Sequence, residues 1–286
     1  MADGAWGTEL AARGLPAGEA PDVWNLQRPD DVRAVAVAYV EAGADIILTN
    51  TFGASPLKLA YANLDDRTEE INRRGVELSL EAAAGRALVF ASIGPSGALL
   101  EPLGTVREED MVAQFARQAR AIAEAGADGI VIETMTALDE AKAALRAVRE
   151  VCDLPVVVSM TFDRGPRGFA TMMGVQPAQA AEKLTAAGAD VVGANCGAGI
   201  AQIIEVARRM RTGTSLPLWC KPNAGLPRLV GGHTIYEETP EEMVRHVADL
   251  VDAGARIIGG CCGTTPAHVR LLAAECARIA GTSTDG

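Results

Sequence analysis

The chain is poor in aromatic and histidine residues and has more acidic than basic residues. The first shortage bears on the core, and the other two exclude classes of function. Phe, Trp and Tyr make up 4% of its 286 residues, so aliphatic side chains must fill the core. Its three histidines do not follow strand-like runs, which argues against a hydrolytic metal site built on histidine. The net charge of −11 argues against nucleic acid or an anionic membrane surface as a partner.

The sequence also lacks segments that would direct it to a membrane. No apolar run approaches the roughly 20 residues that span a bilayer. It begins with no basic-plus-apolar leader, so we expect a cytoplasmic protein. In a reducing compartment its six cysteines are better explained as free thiols or metal ligands than as disulfides.

What the sequence does contain is a short internal repeat. Residues 41–50 read EAGADIILTN, and similar segments return at 124–133, 186–195 and 252–261. Each copy indicates the end of a helix, a glycine cap, and then a short buried strand that ends in a polar or reactive residue. Continuous apolar strands of this kind are typical of a parallel sheet buried on both faces.

Four further apolar runs complete a set of eight predicted strands, centred near residues 4, 47, 90, 130, 158, 192, 218 and 258. Helical patterns fill the gaps between them. This alternation over about 250 residues predicts an α/β fold of the (β/α)8 TIM-barrel type, with a doubly wound open sheet as the alternative. We expect one domain over residues 1–280 and a disordered tail at 281–286.

Active sites of this fold lie at the carboxyl ends of the strands, an edge that we call the mouth. Asp3, Thr51, Glu133 and Asn195 are predicted to reach the mouth and to contact substrate. A carboxylate there suits the ammonium group of an amino acid, and Glu133 is the first candidate. A salt bridge to a neighbouring loop is the alternative for that residue.

Three cysteines also end predicted strands. Cys196 ends the sixth strand, and Cys261 and Cys262 end the eighth, with glycines on both sides of the pair. Zinc takes thiolates in tetrahedral geometry, and three protein ligands leave one position for substrate. A single cysteine would more simply be a small buried hydrophobe. The adjacent pair at an equivalent strand end favours a metal site that activates an incoming thiol.

Several segments carry a resemblance to a known family. Residues 3–8 (DGAWGT), 48–52 (LTNTF), 132–134 (IET), 193–196 (GANC) and 259–263 (GGCCG) resemble the zinc-dependent homocysteine S-methyltransferases. The similarity is greatest to the homocysteine domain of cobalamin-dependent methionine synthase and to bacterial betaine–homocysteine methyltransferases. It spans nearly the whole chain.

The resemblance implies one zinc ion on Cys196, Cys261 and Cys262, with the sulfur of homocysteine as the fourth ligand. It also implies that Asp3, Gly4 and Glu133 hold the amino-acid end of that substrate. Asn223, just past the seventh strand, is a candidate for the fourth position when substrate is absent. The donor is expected to be a small onium compound such as betaine, or a methyl-corrinoid on a separate protein.

Two other functions stay open at this point. One is a barrel with a structural zinc site and a non-catalytic binding role, and the other is a methyltransferase that acts on a different thiol. Structural sites are usually closed by four protein ligands, and only three cysteines agree in position. The oligomeric state is also open, and a homo-oligomer is one of the options.

Overall fold

The centre of the protein is a parallel sheet. The computed structural model describes residues 1–166, 168–230 and 233–282. The sheet strands are β1 (Ile46–Ile47), β2 (Leu88–Ile93), β3 (Gly129–Met135), β4 (Val156–Met160), β7 (Val191–Cys196), β8 (Leu218–Pro222) and β11 (Ala255–Ile258). They are hydrogen-bonded in chain order, from β1 at one edge to β11 at the other. The α/β class is thus confirmed, with seven of the eight predicted strands present as strands.

Two antiparallel hairpins leave the sheet at the mouth. Strands β5 (Asp163–Gly165) and β6 (Gly168–Ala170) follow β4. Strands β9 (Arg228–Val230) and β10 (His233–Ile235) follow β8. Both hairpins therefore belong to connections at the edge where the functional side chains were expected.

Helices connect the strands. In chain order they are α1 (Gly7–Ala12), α2 (Trp24–Gln27), α3 (Pro29–Glu41), α4 (Pro56–Leu59), α5 (Thr68–Ala83), α6 (Glu108–Glu124), α7 (Leu138–Val151), α8 (Pro177–Ala186), α9 (Ile200–Arg211), α10 (Pro240–Val244), α11 (Val247–Asp252) and α12 (Pro266–Thr282). Helix α12 ends at Thr282, two residues past the start predicted for the disordered tail. Residues 283–286 lie outside the described residues. Among the described helices, none combines the length and hydrophobicity needed to cross a bilayer.

The internal repeat has a physical explanation in the sheet. The glycines of its four copies, Gly43, Gly126, Gly188 and Gly254, all have φ between 90° and 108°, a left-handed conformation that ends a helix without a Cβ clash. In two copies the aspartate that follows also bonds to the neighbouring strand. Asp128 Oδ2 accepts from Val89 N at 2.8 Å, and Asp190 Oδ2 accepts from Val156 N at 2.7 Å. The repeat therefore ends a helix in all four copies, and in these two it also caps the start of the preceding strand.

The first predicted strand is reduced to a short bridging segment. Ala2 forms a parallel bridge with Ile46 of β1, and its N–H donates to Ile258 O of β11 at 2.7 Å. Gly260 N donates to Asp3 O at 2.8 Å. The chain start thus contacts both edge strands of the sheet, although it is too short to count as a strand itself.

Side chains on the concave face of the sheet form two layers. Ala2, Leu48, Phe90, Val131, Val157 and Trp219 form a buried apolar cluster from six different segments. Residues two positions further along a strand share its face. The next layer towards the mouth therefore holds Ser92, Glu133, Ser159 and Lys221, all buried. Polar groups are concentrated directly above an apolar floor.

Trp219 fills much of that floor and leaves no room for a side chain at Gly193 of the neighbouring strand β7. It is fully buried, and a Cβ added at Gly193 would collide with its backbone oxygen. Gly193→Ala should therefore lower the free energy of unfolding by at least the roughly 1–3 kcal/mol typical of overpacking. Urea denaturation measures this change.

The matched control is Gly7→Ala, at the first residue of α1. A Cβ there meets nothing within 4 Å, and the residue has no positive φ. Its stability should stay within about 1 kcal/mol of the parent protein or improve slightly. Equal urea midpoints for the two variants would contradict the packing described for the floor.

Candidate metal centre

Three cysteine sulfurs meet at the mouth. The Sγ atoms of Cys196, Cys261 and Cys262 all lie within 4.8 Å of one another, and those of Cys196 and Cys261 are 3.0 Å apart. All three residues are partly buried. Within the described part of the chain, no further Cys, His, Asp or Glu joins this group.

The backbone around each cysteine explains how the sulfurs converge. Cys196, the last residue of β7, has a φ of 63°, which is unusual for a residue with a side chain. Cys261 N donates to Pro222 O of β8 at 2.7 Å, and Thr264 Oγ1 donates to Cys261 O at 2.7 Å. Gly263, at φ 82°, completes the turn. The turn lets adjacent cysteines point to one place, which a regular strand would not allow.

Hydrogen bonds inside the cluster make one thiol acidic. Contacts from Cys196 and then Cys261, with help from the Tyr236 hydroxyl, lower the pKa of Cys262 to about 3. The pKa of Cys196 lies well above its ordinary value, chiefly because of its hydrogen bonds with Cys261 and Cys262. The cluster can therefore carry one thiolate by itself. A cation is needed to make all three ionise together near neutral pH.

The side chain of Asn195 lies next to the sulfurs of Cys196 and Cys261. It is fully buried, and its Oδ1 accepts from Thr134 N at 2.9 Å and from Ser159 Oγ at 2.7 Å. Its Nδ2 lies 3.6 Å from the sulfur of Cys196 and 3.8 Å from that of Cys261. The same Nδ2 donates to Thr134 Oγ1 at 2.7 Å. The amide is thus oriented by neighbouring strands and lies next to two sulfurs. A contact of Asn195 with substrate stays a prediction.

Glu133 lies in the polar layer of β3. It is 8% exposed, and Oε1 accepts from Ser92 Oγ at 2.5 Å. Burial raises the pKa of this carboxyl to about 7, and the charge of Lys221 opposes the rise. Glu133 therefore changes its charge near neutral pH and lies in the layer next to the thiols.

Asp3 is held more tightly than Glu133. Its Oδ1 lies 2.5 Å from Lys221 Nζ, and its Oδ2 accepts from Trp6 Nε1 at 2.8 Å and from Leu48 N at 2.7 Å. The side chain is 0% exposed. Three donors thus surround this carboxylate inside the protein.

The other two residues expected near substrate, Gly4 and Thr51, are buried. Thr51 Oγ1 donates to Ser92 O at 2.7 Å and lies 2.6 Å from Thr49 Oγ1. A Cβ at Gly4 would lie 2.7 Å from Tyr39 Cε1, so only glycine fits beside that ring. Both residues have a clear packing role, and a contact of either with substrate stays a prediction.

Two residues of the site gave only a weak signal or none in the sequence. Lys221 is 2% exposed, and a lysine inside a predicted buried strand was the signal that could have revealed it. Tyr236 lies beyond β10, and its ring packs on Gly263 next to the cysteine pair. A tyrosine in a long loop gives no such signal, because its position depends on how the hairpin folds back.

Comparison with known proteins identifies the family of the chain. The homocysteine S-methyltransferase family matches residues 1–276. The chain belongs to this family. The resemblance predicted from the sequence is thereby confirmed.

Individual relatives show how much of the chain is shared. Methionine synthase of Mycobacterium tuberculosis is 30% identical over 297 residues, covering 98% of this chain and 25% of that protein. The enzyme of Mycobacterium leprae is 30% identical over 298 residues. This chain therefore spans about a quarter of the length of these relatives. The metallated homocysteine methyltransferase MmuM of Escherichia coli matches with a TM-score of 0.79 and 25% identity, over 95% of this chain and 94% of that one.

The geometry predicts that metal binding depends on the three sulfurs and on the amide beneath them. Cys261→Ser should lose stoichiometric zinc, and Asn195→Ala should weaken zinc affinity about 10- to 100-fold, as loss of a supporting contact typically does. Competition with a chromophoric chelator measures both. Cys276→Ser, in α12, is the matched control and should bind zinc like the parent protein. Equal affinity in all three variants would exclude the cluster as the metal site.

Proposed function

We propose that the chain transfers a methyl group to the sulfur of homocysteine to give methionine, with zinc held by Cys196, Cys261 and Cys262. The observation that carries this proposal is the convergence of three sulfurs within 4.8 Å at the mouth. Three protein sulfurs leave one tetrahedral position for a substrate thiol.

The donor set fits zinc better than magnesium or calcium. Zinc favours thiolates in tetrahedral arrangements, whereas magnesium and calcium favour oxygen. When bound, the ion would lower the pKa of an incoming thiol and so make its sulfur nucleophilic at neutral pH. The protein holds the cysteines in place through Asn195 and through the backbone contacts of Cys261.

Asn223 supports a fourth, exchangeable position. Its Nδ2 donates to Gly197 O at 2.7 Å, next to Cys196 in the chain. Its Oδ1 is buried without a hydrogen-bond partner in the described structure. A buried carbonyl oxygen without a partner is costly, so a ligand role would explain it. In this proposal Asn223 would hold the fourth position of a bound ion when substrate is absent.

We also infer that the sheet closes into the (β/α)8 barrel predicted from the sequence. Support comes from the contacts of Ala2 with both β1 and β11, and from the apolar cluster contributed by six segments around one centre. In such a barrel the mouth is the expected place for catalysis.

The methyl donor is the open part of the proposal. A betaine-like or sulfonium compound and a methyl-corrinoid on a separate protein are both compatible with a thiol acceptor at the mouth. A cytoplasmic location and a homo-oligomeric state remain predictions.

A donor screen tests the function directly. Zinc-loaded protein is incubated with homocysteine and, in turn, betaine, S-methylmethionine, dimethylsulfoniopropionate and methylcobalamin, and methionine is quantified by mass spectrometry. At least one donor should give zinc-dependent methionine, and Cys261→Ser should abolish it. Turnover that survives this substitution or metal removal would contradict the proposal.

Glu133 should make binding of the amino-acid end depend on pH. With a pKa of about 7, its carboxyl is neutral below that pH and charged above it. Only the charged form attracts an ammonium group strongly, so affinity should rise as the pH increases through about 7. Methionine is the best probe, because it has the same amino-acid end and no thiol that titrates.

Calorimetric titration with methionine between pH 6 and 8 measures this dependence. Glu133→Gln should bind more weakly at pH 8, by about 10-fold or more, and should lose most of the pH dependence. Parallel profiles for the parent protein and the variant would remove Glu133 from the binding site.

A further inference from the structure

A buried lysine in the polar layer has more hydrogen-bonding capacity than its surroundings use. Lys221 Nζ lies 2.5 Å from Asp3 Oδ1, and the two side chains are 2% and 0% exposed. An ammonium group has three N–H donors. Asp3 is the one hydrogen-bond acceptor found for it among the described residues, so two donors are left for another group.

Two nearby carboxylates stabilise the charged form of Lys221. Burial alone lowers the pKa of a lysine, but the carboxylates of Asp3 and Glu133 outweigh this effect and hold the pKa of Lys221 above its ordinary value. Its Nζ also lies 5.7 Å from the centre of the Trp219 ring. The charged form of this ammonium is thus favoured, although it lies next to the apolar floor.

A buried ion pair of this kind is poorly explained by stability. Desolvation of two charges usually cancels their attraction, and apolar residues often serve as well. Asp3 also accepts from Trp6 Nε1 and Leu48 N, so three donors already occupy its fully buried carboxylate. It therefore has little acceptor capacity left for a substrate ammonium. Its clearest role is to orient Lys221.

Glu133 differs from Asp3 in having a free oxygen. Its Oε1 accepts from Ser92, whereas no described residue donates to Oε2. Glu133 and Lys221 influence each other's charge across the polar layer, and both also sense Cys261. A negative group with a free acceptor and a positive group with free donors therefore lie in the same layer beside the thiols.

We propose that Lys221 binds the α-carboxylate of the amino-acid substrate, while Glu133 receives its ammonium group. Lys221 is then the residue that selects an α-amino acid thiol over a simple aminothiol. This inference rests on the proposed function, because the sulfur of the same molecule must reach the cysteine cluster. It assigns to Asp3 an indirect part in binding, through the position of Lys221.

The test compares three thiols that differ by one charged group. Homocysteine carries both groups, aminopropanethiol lacks the carboxylate, and mercaptobutyrate lacks the ammonium. Binding to zinc-loaded protein is measured by calorimetry, so the readout does not depend on turnover. The parent protein should prefer homocysteine over aminopropanethiol on the order of 10- to 100-fold, as for a hydrogen bond between charged groups.

Lys221→Met should lose this preference for the carboxylate and keep the preference for homocysteine over mercaptobutyrate. Because the substitution leaves Asp3 buried without its partner, the double variant Asp3→Asn/Lys221→Met is measured as well. It removes both charges and should show the same selective loss. Lys142→Met, on the exposed face of α7, is the control for loss of a lysine and should behave like the parent protein.

The outcomes separate this inference from the function on which it rests. If the parent protein fails to bind homocysteine at all, the proposed function fails. If it binds homocysteine but both Lys221 variants keep full preference for the carboxylate, the role of Lys221 is wrong and the function stands. Equal weakening of all three thiols, with zinc content unchanged, would likewise refute a specific contact.

Discussion

The site depends on the register of one strand, β8, between its two neighbours. Cys196 of β7 pairs with Pro222 of β8, and Cys261, beyond β11, donates its N–H to the oxygen of the same proline. The two cysteines are 65 residues apart in the chain, yet both are positioned by the backbone of Pro222. A shift of β8 by one residue would separate the sulfurs and turn Lys221 away from the mouth.

The rest of the mouth follows from the alternation of side chains along the strands. Trp219 lies in the apolar floor, and two residues later Lys221 lies in the polar layer. The same spacing relates Val131 to Glu133 and Val157 to Ser159. Polar residues can be buried there because they bond to each other, as Ser159 does to Asn195. A charged and hydrogen-bonded layer is thereby fixed between the core and the thiols.

Much of this arrangement was predictable from the sequence because it is encoded locally. The four repeated segments specify a helix end and a strand start, and together with the other apolar runs they predicted seven of the observed strands and placed Cys196, Cys261 and Glu133 at one edge. Two features depend on contacts distant in the chain and gave little or no local signal. One is the pairing of Lys221 with Asp3, 218 residues apart, and the other is the position of Tyr236 on Gly263. The three donors to Asp3 likewise come from separate segments, so its role could not be derived from its position at a strand end.

The central claim is that a metal held by three protein sulfurs keeps one position for the sulfur of the substrate. X-ray absorption at the zinc edge tests it most directly, with and without homocysteine. The account predicts three sulfur ligands and one oxygen or nitrogen ligand in the free protein, and four sulfur ligands after homocysteine is added. A coordination shell that is the same in both samples would contradict it.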